Sequence, residues 1–304
     1  MAKYTARYRP DCVGQYRVGI EINGQPLTGS PWSAQVVPHQ YKFLFKFGSH
    51  GNRPGQFDRP WDIAVSEKTG TIAVADSENN RIQLFSSDGN YLREIKLKKK
   101  CNTVAFTKSG DIIAAVPYDD HKISLFTESG QFIKHINDEH LKIPVHLTTG
   151  FDGRIIVCDW ENNEIRVISP DGSQLLQSFR ASDCDDSLYC VVYHQGRFFV
   201  SDVKADCVKM FSEEGKFLYN IGSGGFGDGQ LNHPVGLVID KFNNLIVCDT
   251  GNGRLQIFGL NGTFVTKIEK PSSEEDSFPW SVAMPDNGNV FATDLLNDCV
   301  CVFQ

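Results

Sequence analysis

No apolar run in the chain approaches the roughly 20 residues that a helix needs to cross a bilayer. The opening "MAKYTARYRP" has no apolar signal core, so nothing in it directs secretion. No two cysteines are spaced CxxC, which argues against a zinc finger or RING within these residues. The eight histidines show no ligand spacing, so neither a metal nor another cofactor is expected. Positive charge is also short: 30 Lys and Arg against 37 Asp and Glu leave a net −7. A chain this acidic is not an obvious polyanion binder, although a local patch can still be one. Neither a membrane nor DNA is an expected partner.

What is present fits a globular protein: 40% hydrophobic and 22% charged residues in a chain of 304. Nine cysteines are an odd number, and Cys158 and Cys248 both sit in "IVCD" within apolar runs. Buried free thiols in a reducing compartment explain them better than disulfides, which points to the cytoplasm.

Internal repetition is the strongest signal. Anchored on Asp76, the corresponding positions are Pro117, Asp159, Asp202, Asp249 and Asp294, at gaps of 41, 42, 43, 47 and 45 residues. Nine positions on stand Phe85, Phe126, Ile168, Phe211, Phe258 and Phe303. Thirteen on stand Gly89, Gly130, Gly172, Gly215 and Gly262. Each unit reads as four short strands, with the Gly supplying the positive φ of a tight hairpin. The second strand of each is nearly all apolar ("IIVCD", "FFVSD", "LIVCD") and needs cover on both faces. Blades stacked around an axis give that cover, so the fold class is all-β, a six-bladed β-propeller.

Fourth strands carry Leu92, Ile133, Leu175, Leu218 and Val265 sixteen positions after the anchor. In the sixth unit that position falls beyond Gln304. The spare segment "YKFLFKFG" (41–48) aligns with "GKFLYNIG" (215–222), so it is expected to complete blade six and close the ring.

The motif "RPWDIAVS…IAVADSENNRIQLFSSDG", with the approaches "FGSHGNRPGQFDRP" and "IGSGGFGDGQLNHP", resembles the NHL repeat. The likeness runs over 41–304. Residues 4–36 resemble the C-terminal part of a filamin-type immunoglobulin repeat, marked by the alternation Tyr16, Val18, Ile20, Ile22 and by "NG" and "GSPW". Only about three of the roughly seven strands of such a sandwich are there, so 1–37 reads as a truncated domain. A filamin repeat followed by six NHL repeats is similar to the C-terminal half of TRIM-NHL proteins. In that family a RING, B-box and coiled coil provide ubiquitin-ligase activity, and the propeller recruits a protein or an RNA. Those zinc domains are not in this sequence, so the resemblance implies a recognition module rather than an enzyme.

In propellers of this kind the approach to each first strand and the turn between second and third strands share one face. By register the channel mouth on that face is lined by Trp61, Asn102, Val145, Tyr189, Val235 and Trp280. The aromatics among them can grip a side chain, stack a base, or simply plug the channel. The same face is expected to carry Lys96, Lys98, Lys99 and Lys100 with Arg53, Arg59, Arg81 and Lys122. Such a sector suits phosphate contacts, or a merely solvated loop. Asp138–Glu139, Asp183, Asp185–Asp186 and Glu274–Glu275–Asp276 would interrupt it, and a bipolar face is better matched to a protein partner. The repeated aspartates read as acceptors for the following turns, together with Asn79, Asn163, Asn252, Arg81 and Arg254. A metal-dependent hydrolase or lyase would need ligands converging in the channel, for which Asp62, Asn102 and His146 are the scattered candidates.

Overall fold

The computed structural model describes residues 14–116, 122–136, 141–150, 152–180, 187–268, 277–285 and 287–304. Pro117 and the three acidic clusters named above fall outside them, as does the side chain of Lys122. Two units are present, residues 1–40 and 41–304.

In the first unit Gly14–Val18 pairs antiparallel with Trp32–Val36, and Glu21–Ile22 with Gln25–Pro26. The second pair turns through Asn23 and Gly24, both at positive φ (51° and 76°), as a two-residue hairpin requires. Val18, Ile20, Ile22, Leu27 and Trp32 remain exposed, because two small ribbons cannot bury a sandwich core.

Residues 41–304 form six four-stranded antiparallel sheets. Blade one is Pro60–Val65, Ile72–Asp76, Arg81–Phe85 and Tyr91–Lys96; blade two begins at Thr103, blade three at Pro144, blade four at Leu188 and blade five at Pro234. Blade six is Pro279–Ala283, Val290–Asp294, Cys299–Phe303 and, as its outer strand, Phe43–Phe47. The six first strands neighbour one another in a closed circle, with blade six against blade one.

Alternation explains the stacking. Every residue of Ile72–Asp76 is buried. Ala73 and Ala75 pack toward blade two, against Val104, Ile112 and Ala114. Ile72 and Val74 face the other way, against Phe291, Val300 and Val302 of blade six. Ile72 and Val74 each contribute about 1.5–3 kcal/mol of burial and the two alanines less, and both faces are covered only when both neighbouring blades are in place.

The seam repeats the pairing used elsewhere. Phe47, Lys46, Phe45 and Phe43 oppose Val300, Cys301, Val302 and Phe303, with a one-residue shift before the last pair. Ile221, Asn220, Tyr219 and Phe217 oppose blade four's third strand with the same shift. Lys42 and Gln304 then exchange backbone hydrogen bonds of 2.9 Å in both directions. The seven cysteines among the described residues are all buried and free.

Candidate recognition face and channel

The anchor aspartates join each approach to its neighbouring turn. Asp76 accepts the amide of Asp58, the side-chain amide of Asn79, Nε of Arg81 at 2.7 Å and Nε2 of Gln83. Asp249 makes the same set with Asn232, Asn252, Arg254 and Gln256. Asp159, Asp202 and Asp294 likewise accept approach amides, from Ile143, Ser187 and Phe278. These bonds put the approaches and the turns between second and third strands on one face. Burial raises the pKa of Asp76, and the bonds from Asp58, Arg81 and Asn79 oppose that rise.

Two expectations change here. The side chain that bonds to Asp159 is Asn162, not Asn163: Asn163, at φ 51°, closes the turn through its own amide to the Trp160 carbonyl and accepts the amide of Leu188 in the next blade. Arg81 leaves the basic sector. It is buried, bound to Asp76 and Glu94 and to the carbonyls of Arg53 and Gln56, because a guanidinium fork can satisfy all four at once.

The remaining basic residues sit as follows. Arg53, Arg59, Lys96, Lys98, Lys99 and Lys100 are exposed. Lys100 lies 2.6 Å from Glu78, Arg59 4.0 Å from the same carboxylate, and Lys96 3.5 Å from Glu94. Lys142 pairs with Glu161 elsewhere on the face. The cations are therefore interleaved with carboxylates. Phe226, Leu296 and Trp160 project from approach and turn segments, at 79%, 59% and 48% exposure.

At the mouth, the structure brings three of the register residues together. Trp61 donates its indole N–H to the Tyr189 hydroxyl at 2.7 Å. Trp280 packs edge-on against both rings, at centroid distances of 5.0 and 5.5 Å. Phe278 stacks on Trp280 at 5.8 Å, and His233 lies beside it at 6.5 Å. Burial pushes the Tyr189 phenol well above its ordinary pKa, so it stays protonated. The cluster spans the channel from blade one to blade four while its rings remain half-buried. Asn102, Val145 and Val235 are buried beneath the surface.

Below the plug runs a belt that periodicity alone does not show. Asp62 accepts the amides of Ile63 and Val104 at 2.9 Å and the hydroxyl of Ser281 at 2.5 Å. Thr103 accepts the amide of Leu147, and His146 Nδ1 that of Val191. Cys190 receives the amide of Leu237. Blades one to four thus each satisfy an inner-strand N–H of the next, and blade six closes the circle by donating the Ser281 hydroxyl to Asp62. In blade five the position is Gly236, where a Cβ would fall 2.7 Å from the Ser281 backbone. Accepting at Nδ1 leaves His146 its proton at Nε2, 3.4 Å from Cys190 Sγ. Burial lowers its pKa, with Asp62 opposing. Asp62 and His146, weighed above as metal ligands, are thereby engaged in holding blades together. The signal that marks the belt is its register, one residue after each mouth position.

Beyond the belt the channel opens on the opposite face as a cavity of about 720 Å³, lined among others by Ala64, Thr148, Val192, Val238 and Ala283, with His146 also contributing.

Comparison with known proteins agrees with this architecture. Residues 57–85 match the family described as the NHL repeat, and residues 183–297 match one described as a 6-bladed beta-propeller. Over 153 residues the chain is 29% identical to the protein brain tumor of Drosophila melanogaster, covering 48% of this chain and 15% of that one. Over 93 residues it is 34% identical to E3 ubiquitin-protein ligase TRIM71 of Rattus norvegicus, covering 29% and 11%. Protein lin-41 of Caenorhabditis elegans is 34% identical over 92 residues, 28% of this chain and 8% of that protein. The matches thus span a small fraction of these relatives' length. Among solved structures, a Bacteroides thetaiotaomicron protein of unknown function superposes with a TM-score of 0.73 at 14% identity, covering 96% and 82% of the two chains. Virginiamycin B lyase of Staphylococcus aureus gives 0.62 at 16%, covering 84% and 82%. At such identities these two share the fold alone.

Proposed function

We propose that the chain is a non-catalytic recognition module that docks a protein partner on its loop-rich face. The observation that carries this reading is the composition of that face. A half-buried aromatic plug, Trp61–Tyr189–Trp280, sits at its centre, and the apolar prongs Phe226, Leu296 and Trp160 stand around it. Rigid aromatic anchors with neighbouring apolar groups are what protein hot spots use. Interleaved charges such as Lys100–Glu78 and Lys142–Glu161 favour orientation of a bipolar protein over neutralisation of a phosphate backbone. The similarity to an E3 ubiquitin-protein ligase supports a role in bringing a substrate to ubiquitination. An enzymatic reading is disfavoured by Asp62 and His146, whose acceptor atoms already hold inter-blade amides.

RNA recognition is the second reading, favoured by the exposed side chains of Lys98, Lys99, Arg53 and Arg59. The test is capture on the immobilised full chain, wild type against Phe226→Asp/Leu296→Asp, with and without nuclease. A protein that survives nuclease and is lost with the variant supports the first reading. Salt-sensitive retention of RNA stem-loops, insensitive to the double substitution and reduced by Lys98→Glu/Lys99→Glu, would replace it with the second.

A further inference from the structure

The approach to blade one and the approach to blade five are built on the same frame. In blade one Gly51 donates to the Phe57 carbonyl at 2.9 Å, and Gln56 Nε2 reaches the His50 carbonyl at 3.3 Å. In blade five Gly225 donates to Leu231 at 2.9 Å, and Gln230 Nε2 reaches Gly224 at 3.4 Å. Both approaches are tied back to the preceding blade by an aspartate. Asp298 accepts the amide of Arg59, and Asp206 that of His233, each at 2.7 Å. Residue for residue, His50 corresponds to Gly224, Asp58 to Asn232, and Asp298 to Asp206.

The frame therefore folds without the histidine and without the second carboxylate. At the seam, however, both are present and both converge on Asp298. His50 Nδ1 lies 2.8 Å from Asp298 Oδ2, and the donor atoms of His50, Asp58 and Asp298 all fall within 4.8 Å of one another. Two carboxylates set this close repel, and among the described residues the hydrogen bonds of the loop use the backbone of Asp58 rather than its carboxylate. One imidazole nitrogen and two carboxylate oxygens, at these separations, form a three-ligand set with room for solvent as a fourth.

We propose that His50, Asp58 and Asp298 bind a first-row divalent transition ion, of which Zn²⁺ is the natural occupant. The imidazole selects such an ion over Mg²⁺ or Ca²⁺, which take all-oxygen shells. Backbone bonds already fix two of the three ligands. Arg59 N–H holds Asp298 Oδ1, leaving Oδ2 to the ion, and the amide and carbonyl of Asp58 are taken by Asp76 and Glu78. His50 is 74% exposed, so an ion enters from solvent without unfolding, displacing any proton on Nδ1. The ligands come from the segment after the closing strand, from the blade-one approach and from blade six. Binding therefore clamps the seam at which Phe43–Phe47 meets Cys299–Phe303. The inference rests on the seam alone and is independent of what the recognition face binds.

The experiment titrates the chelator-stripped full chain with Co²⁺ by visible absorption and with Zn²⁺ by calorimetry. The comparison protein carries His50→Gly/Asp58→Asn, which turns the seam into its blade-five counterpart and so preserves the fold. The expected result is one saturable site with cobalt d–d bands and no thiolate-to-cobalt charge transfer. Affinity falls more than about tenfold for His50→Gly alone and for Asp58→Asn alone. Zn²⁺ raises the melting temperature of the wild type and leaves that of the double variant unchanged. Absence of saturable binding, a thiolate band, or equal binding by the double variant would overturn the proposal and leave His50–Asp298 as an ordinary ion pair.

Discussion

Trp61 and Tyr189, 128 residues apart in sequence, are joined by a 2.7 Å hydrogen bond across the mouth of the propeller channel. Blades one and four face each other there, so the bond measures whether the ring is closed and its centre plugged. Replacing Tyr189 with Phe removes the acceptor. The expected cost is about 1 kcal/mol, and a double-mutant cycle with Trp61→Phe should return a coupling energy of similar size in urea denaturation. A coupling near zero would mean that the two rings do not meet in solution.

The seam gives a sharper contrast. Deleting 41–48 strips the outer strand from Cys299–Phe303 and uncovers Phe57 and Phe85, against which Phe47 packs at 6.4 and 5.0 Å. Size-exclusion chromatography with light scattering should show aggregation, since a bare apolar edge recruits other chains. Deleting 1–37 should leave a monodisperse propeller with an unchanged urea midpoint. The opposite pattern would move the domain boundary.

Asp76 holds four donors in the interior of blade one, among them an Arg81 whose side chain is only 7% exposed. Asp76→Ala strands that guanidinium beside Gln83. The expected destabilisation is about 3 kcal/mol or more, read as a shift of the urea midpoint at constant m-value. A loss under 1 kcal/mol would argue that Glu94 and the backbone carbonyls suffice for Arg81.

His146 predicts a pH dependence. Burial lowers its pKa below the ordinary 6.5, so the unfolded chain takes up this proton before the folded one does. Stability is then whole above pH 6.5 and declines as pH falls below it, with a limiting slope of about 1.4 kcal/mol per pH unit. Carboxylates add to acid sensitivity, so the comparison is with His146→Gln, whose stability should vary less just below pH 6.5. Parallel curves for the two proteins would remove His146 from the belt.

The repeat was legible because it is local and periodic. Gly89, Gly130, Gly172, Gly215 and Gly262 mark one hairpin, and all five sit at positive φ, between 70° and 93°. The closing strand was legible for the same reason, since 41–48 carries the pattern of a fourth strand. Asn163 was misjudged by one residue because two adjacent asparagines satisfy the same pattern. Only the structure shows that Asn162 reaches Asp159 while its neighbour crosses to the next blade. Arg81 belongs to the turn of Asp76, as its place in the repeat indicates, but not to the exposed basic sector, because sequence gives charge without depth.

What the amino-acid order settles by itself is the count of blades, their strand alternation and the fourth-strand character of 41–48 that closes blade six. Each depends on side-chain period and turn chemistry within about 45 residues. Which polar groups meet was decided by the ring. Asp62 finds Ser281, His146 finds Val191, and His50 finds Asp298 only because consecutive blades pack at fixed angles and the last returns to the first. Hydrogen bonds and charge pairs act over about 3 Å, a distance that no spacing along the chain specifies until closure brings the partners together.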